Sequence, residues 1–190
     1  MTATITDPQR ETPAAPAARV ALKSPGASRG LLDGAWWPRS RDLLRELPAL
    51  IAVLDPLAGR ITRIAVNPRH WPVIPRRIPV AGHVVKAGWF KAEQDPHKLL
   101  LLSYPTGRRD LLVIPPHTDA AAAARLMAAA TDETARPLTA SALIATEEAL
   151  HGTTAAGRAQ DPEESWEYEG GASSTHIGVP ARPSRILLGT

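Results

Sequence analysis

Trp36 and Trp37 stand side by side in the stretch Asp33-Gly34-Ala35-Trp36-Trp37-Pro38-Arg39-Ser40-Arg41-Asp42. Successive side chains of an extended segment point to opposite sides, and Pro38 biases Trp37 toward that conformation. The two indoles therefore cannot enter one core together. The pair predicts one buried ring and one at least partly exposed. Trp37, directly before the proline and the helix start at Arg39-Ser40, is the ring expected inside. With Arg39 and Arg41 alternating beside it, the stretch reads either as a recognition patch (Trp36, Trp37, Arg39, Arg41) or as an arginine-braced corner.

The rest of the chain limits what such a motif can serve. A length of 190 residues suits one core-bearing domain with unstructured ends. With five Trp, two Tyr and one Phe, core volume must come from Leu, Ile and Val. The absence of cysteine excludes disulfides, thiolate metal sites and a thiol nucleophile. The sequence holds no apolar run of bilayer-spanning length and no signal-peptide layout, so the expected location is cytoplasmic, with no membrane partner. Charge is segregated: seventeen basic residues face ten acidic ones over 17–135, and four face seven over 136–190. A basic domain with an acidic tail admits an anionic partner and a tail that competes with it.

Five extended regions are expected: 18–23, 60–66, 78–90, 98–104 and 108–114. Pro105-Thr106-Gly107 joins the last two as an antiparallel hairpin. Leu43, Leu47, Leu50 and Leu54 recur at helical spacing after an N-cap at Ser40, and Pro48 predicts a kink or two short helices within 43–54. An alanine-rich helix capped by Thr118 or Asp119 runs to about residue 130, and a thinner one capped by Thr139 to about 150. The fold class expected is α+β, an antiparallel sheet of four or five strands with packed helices and disordered termini. Residues 1–16 form the arm, 17–133 the folded domain, 134–152 a C-terminal helix at its boundary, and 153–190 the tail.

No catalytic set assembles from these residues. Gly26-Ala27-Ser28-Arg29-Gly30 matches the nucleophile-elbow pattern, but a weak edge strand precedes it and no helix follows directly. The six histidines (His70, His83, His97, His117, His151, His176) show no metal-pair spacing, so no metal is assigned. There is no glycine-rich phosphate loop, and no cofactor is assigned. What remains is arginine interleaved with tryptophan, including Arg69-His70-Trp71, Arg76-Arg77, Trp89 and Arg108-Arg109. Such groups either stack to close the ends of a sheet or offer stacking and phosphate contacts to single-stranded nucleic acid. In the tail, Asp161, Glu163, Glu164, Glu167 and Glu169 enclose Trp166 and Tyr168, a pattern able to dock on a basic face.

Leu32-Asp33-Gly34-Ala35-Trp36-Trp37-Pro38-Arg39-Ser40-Arg41-Asp42-Leu43, Glu46-Leu47-Pro48 and Leu111-Leu112-Val113-Ile114-Pro115-Pro116 together resemble the actinobacterial domain-of-unknown-function 5994 family over about residues 17–133. The resemblance implies a shared domain and carries no activity or site residue across. The functional expectation is a non-enzymatic cytoplasmic binding or regulatory module whose recognition surface includes Trp36, Trp37, Arg39 and Arg41, its partner a protein or small ligand. The alternative is a weak nucleic-acid-binding protein using the basic domain, and an enzyme with an unrecognised site comes third.

Overall fold

The computed structural model describes residues 16–27 and 30–158. The disorder expected for 1–16 and for the tail concerns residues that lie almost wholly outside that range. The chain forms β1 (Val20–Leu22), β2 (Gly34–Trp36), α1 (Leu43–Ala58), β3 (Ile61–Val66), β4 (Arg77–Val80), β5 (His83–Trp89), β6 (Lys98–Ser103), β7 (Gly107–Val113), α2 (Ala120–Thr131) and α3 (Ala140–Arg158). The strands make one seven-stranded sheet in the order β1-β2-β7-β6-β3-β5-β4.

The fold is α+β, as expected, but the sheet is larger than four or five strands and is mixed. β2 pairs with β7, and β3 with β5, in parallel; the other four pairings are antiparallel. Two features account for the difference. The Gly34-Ala35-Trp36 segment reads as loop, yet it inserts between β1 and β7, and a β-carbon at Gly34 would collide with the Ala21 carbonyl oxygen. The single extended region expected over 78–90 is a hairpin, turned at Gly82 with φ +79°. Since α1 carries the chain from β2 back to β3 in the same direction, hairpin pairing alone cannot generate the sheet.

α1 is one continuous helix, although Pro48 and Pro56 both lie inside it. The bond lost at Pro48 is the one to Leu44, which sits on the exposed side. Leu43, Leu47, Leu50, Ile51, Leu54 and Ala58 are buried on the other side and hold the rod straight against the sheet. Its N-cap is Asp42, not Ser40: the Asp42 carboxylate accepts from the Leu44 and Arg45 amides, while the Ser40 hydroxyl donates to Glu46 at 2.8 Å. Glu46 also accepts from the Arg39 amide at 3.0 Å, closing the first turn on itself.

Two cores lie on opposite faces of the sheet. The larger joins α1 to Trp36, Ile61, Ile64, Val66, Trp71, Ile78, Val85, Leu99, Leu101, Leu111 and Val113. The smaller joins α2 and α3 to Leu32, Ala35, Leu112 and Ile114. Ala140, Leu143 and Ile144 of α3 belong to it, so the packed structure continues past residue 133, and α3 itself extends to Arg158, beyond the expected end near 150. Asp95, from the β5–β6 loop, accepts from the Ser141 hydroxyl at 2.6 Å and the Ser141 amide at 3.0 Å and so caps the first turn of α3 from a distance. Among the described residues no helix is long and apolar enough to cross a membrane.

The covering of the second face is uneven. α2 packs on β1 and β2, and α3 on β7 and α2. Among the described residues no helix lies over β3, β5 and β4 on that side.

Candidate functional site: a basic half-face of the sheet

The tryptophan motif is a corner brace. Trp36 is fully buried in the larger core and stacks on Trp71, with centroids 5.5 Å apart and planes at 16°. Trp37 turns to the other face, half-buried against the smaller core. The asymmetry between the rings is as expected, but the assignment is reversed. Trp36 lies in register between Val20 and Val113, which aims it at α1; Trp37 follows the last ladder position and takes the opposite side. Arg19 closes over Trp37, its Cζ 3.4 Å from the ring centroid, and donates to the Trp37 and Pro38 carbonyl oxygens at 3.0 and 2.8 Å. Arg39 donates to the Ala17 carbonyl at 2.9 Å, and Arg41 donates to those of His70 and Arg69, each at 2.8 Å. Three guanidinium groups thus tie the N-terminal segment and the β3–β4 loop to the motif. Ser28 of the elbow-like pattern lies outside the described residues.

A second cluster is one that spacing did not reveal. The β3–β4 loop and the β5–β6 loop bring His70 and His97 together, ring centroids 4.3 Å apart and tilted by 49°. His70 Nε2 and His97 Nδ1 are buried without a hydrogen-bond partner. Burial, with His97, Arg41, Arg69 and His117 nearby, pushes the His70 imidazole down to about 4. Burial also lowers His97, against opposing contributions from the Val113 backbone, Asp95 and Glu148. Both rings are therefore neutral at pH 7. Asp95 does not serve them as an acid–base partner. Desolvation would raise its carboxyl, but the Ser141 hydroxyl and amide and the His97 amide hold it below the ordinary range. Beneath the pair, Asn67 donates to the Lys91 and Gln94 carbonyls at 3.1 and 2.9 Å, and Gln94 to those of Ala65 and Lys98 at 2.8 Å each. These buried amides pin the 91–97 loop. Among the described residues no group of three or more His, Cys, Asp or Glu is placed to hold a metal ion.

The uncovered half of the sheet carries the strongest charge feature. Lys86 of β5 pairs directly with Arg77 of β4 on one side and Arg63 of β3 on the other. Directly paired residues project from the same face, so Arg77, Lys86 and Arg63 form a transverse row of three cations. All three are exposed. Among the described residues none of them makes an ion pair, whereas Arg108, two positions further along the same row past Leu102, is bound to Asp110 at 2.9 and 2.7 Å. Like charges placed directly across a ladder repel, which is a poor choice for stability alone.

At the edge of this face β5 runs on past the start of β4. Arg76, Arg77, Lys86, Ala87, Gly88, Trp89 and Phe90 line an open cleft of about 490 Å³ that wraps round the strand end. Trp89 and Phe90 are 44% and 50% exposed, and Arg76 Cζ lies 5.6 Å from the Trp89 ring. Val84, in register with Pro79, adds exposed apolar surface on the same side as Lys86. Cations, aromatic rings and an open strand edge thus meet within one hairpin. The alternation of 83–90, which groups Val84, Lys86 and Phe90, was legible in sequence; the neighbours that complete the row come from strands pairing at a distance.

Neither the curated proteins nor the solved structures yield a match to this chain. One family model does match, over residues 19–130, a stretch that runs from β1 to the end of α2 and contains the motif corner, the histidine pair and the whole basic half-face. With more than half of its length so matched, the chain belongs to the DUF5994 family, a family of unknown function.

Proposed function

We propose that this protein is a non-enzymatic binding module and that its recognition surface is the basic half-face, with a flexible polyanion, single-stranded nucleic acid, as the partner. The observation that carries this reading is the in-register row Arg77–Lys86–Arg63, exposed and without ion pairs among the described residues. A fold gains nothing by setting three cations abreast, whereas a phosphate backbone crossing the strands gains a contact at each. Phe90, on the side of Lys86, and Trp89, on the other side of the same strand end, supply exposed rings at the rim on which any base can stack, which gives binding with little regard for sequence. No helix of the described residues is placed on this face to enter a duplex groove.

The reading moves the recognition surface from Trp36, Trp37, Arg39 and Arg41 to Arg63, Arg76, Arg77, Lys86, Trp89 and Phe90. Trp36 is wholly inside the core, and the two motif arginines are engaged with backbone carbonyls. Both groups are open to test by fluorescence anisotropy with a labelled mixed-sequence oligodeoxynucleotide at about 50 mM salt, where nucleic-acid contacts are weakly screened. The triple variant R63Q/R77Q/K86Q should bind at least tenfold more weakly than the natural chain, and R39Q/R41Q should bind nearly as the natural chain does. Equal binding by the triple variant, or an equal loss in R39Q/R41Q, would sink the proposal.

A further inference from the structure

We infer that the acidic, aromatic segment 161–169 of this same chain docks on the basic half-face and shields it when no other partner is bound. The inference rests on the reading of that face as a binding surface and adds its regulation. Residues 161–169 hold Asp161, Glu163, Glu164, Glu167 and Glu169 with Trp166 and Tyr168, and no basic residue. The face presents Arg63, Arg77 and Lys86 with Phe90, and at its edge the cleft adds Arg76 and Trp89 from the opposite side of the strand end. Each half thus presents the same pairing of charge and aromatic rings with the sign of charge reversed. Neighbouring strands lie about 4.8 Å apart, so the three cations of the row span roughly 10 Å. Carboxylates two residues apart on an extended chain are about 7 Å apart, which lets two or three of them reach the row at once.

Reach permits the contact. α3 ends at Arg158 after packing on β7, and the sheet runs β7-β6-β3-β5-β4. α3 runs on for fourteen residues beyond Ile144, about 21 Å, to reach Arg158, and three strand steps, roughly 14 Å, separate β7 from β5, so the path back to the row is at most about 35 Å. The eleven residues 159–169 extend to about 36–40 Å. The acidic segment also lies outside the 19–130 family match, whereas the face lies within it, as expected of a regulator appended to a binding domain.

Lys86 makes the contact chemically addressable, because it is the one primary amine of the row. The natural full-length chain, at low micromolar concentration and about 20 mM salt without nucleic acid, would be treated with a water-soluble carbodiimide. Its peptides would then be mapped by mass spectrometry. The inference expects monomeric amide links from Lys86 to carboxylates of 161–169 in at least fivefold excess over links from Lys23, and suppression of those links at about 0.5 M salt. The variant R63Q/R77Q, which keeps the Lys86 amine, should lose most of them. Links spread evenly over the lysines, links only in covalent dimers, or links that persist unchanged in R63Q/R77Q or in high salt would each overturn it. As no nucleic acid is present, failure here leaves the oligonucleotide result standing, and failure of oligonucleotide binding leaves this one standing. A second readout is affinity: neutralising the five carboxylates (D161N/E163Q/E164Q/E167Q/E169Q) should tighten oligonucleotide binding about three- to tenfold at 50 mM salt, and unchanged affinity would overturn the shielding.

Discussion

In the chain whose five tail carboxylates are neutralised (D161N/E163Q/E164Q/E167Q/E169Q), so that no acidic segment offsets the row, replacing Lys86 with Gln should make the free protein more stable. Lys86 occupies the middle of the cationic row, directly opposite Arg77 and Arg63, and all three side chains are exposed. Each directly opposed like-charge pair costs about 0.2–1 kcal/mol. The substitution removes two of them, which bounds the gain at about 0.4–2 kcal/mol; the long stems let the charged heads splay, and this favours the lower half of the range. For a fold of this size a gain near 1 kcal/mol raises the melting temperature by about 3–5 °C. The origin of the gain also fixes its salt dependence. The Debye length falls from about 20 Å or more at 20 mM to roughly 4 Å at 0.5 M, so most of the gain should vanish in the higher salt. K86E, which turns two repulsions into attractions, should gain more than K86Q, and K91Q, an exposed lysine outside the row, should stay within about 0.5 kcal/mol of the tail-neutralised parent. Urea denaturation followed by far-ultraviolet circular dichroism at the two salt concentrations measures all four proteins. A K86Q variant that is less stable than its tail-neutralised parent at 20 mM salt, or whose gain is the same at 0.5 M, would refute the view that the row is held at a cost to the fold.

The two tryptophans should separate cleanly by thermal or urea denaturation: Trp36→Ala, which empties a fully buried site stacked on Trp71, should cost about 3–5 kcal/mol, and Trp37→Ala about 1–2. Equal losses would contradict the opposed orientation of the rings. Stability should also fall with acidification before most carboxylates titrate. The folded protein keeps His70 neutral down to about pH 4, while the unfolded chain takes up that proton near 6.5, so between those values the unfolded state binds more protons and stability rises with pH. The contribution is complete above about pH 6.5 and lost by about pH 4. His70→Gln should flatten the stability profile in that window, and an unchanged profile would count against the buried neutral pair.

Much of the framework was readable in the sequence because it is local. The leucine stripe of α1, the alanine-rich α2 and the β6–β7 hairpin depend on periodicity, propensity and a turn, and each lies close to its expected limits. Pro48 misled because the packing of Leu43, Leu47, Leu50 and Leu54 outweighs one lost bond at an exposed turn. β2 was missed because three residues around a glycine carry no pattern of their own and become a strand only when β1 and β7 flank them. Which tryptophan is buried turned on the register of Trp36 with Val20 and Val113, a tertiary fact. The site was obscured for the same reason. Arg63, Arg77 and Lys86 lie on three strands and become neighbours only through pairings that include the parallel β3–β5 contact. His70 and His97 likewise meet only because two loops converge at one end of the sheet. The arginine-tryptophan motif drew attention by its composition, but its guanidinium groups are engaged with backbone carbonyls within the fold.

The most direct test of the central claim is the salt dependence of oligonucleotide affinity, measured with the full chain and with R63Q/R77Q/K86Q between about 50 and 200 mM salt. Each phosphate neutralised on a single strand contributes up to about −0.7 to the slope of log K against log salt. The row therefore predicts a slope of about −1 to −2 for the natural chain, the shallower value reflecting competition from the acidic segment, and a slope near zero with much weaker binding for the triple variant. An identical slope in the two proteins, or no binding by the natural chain at about 50 mM salt, would contradict the account.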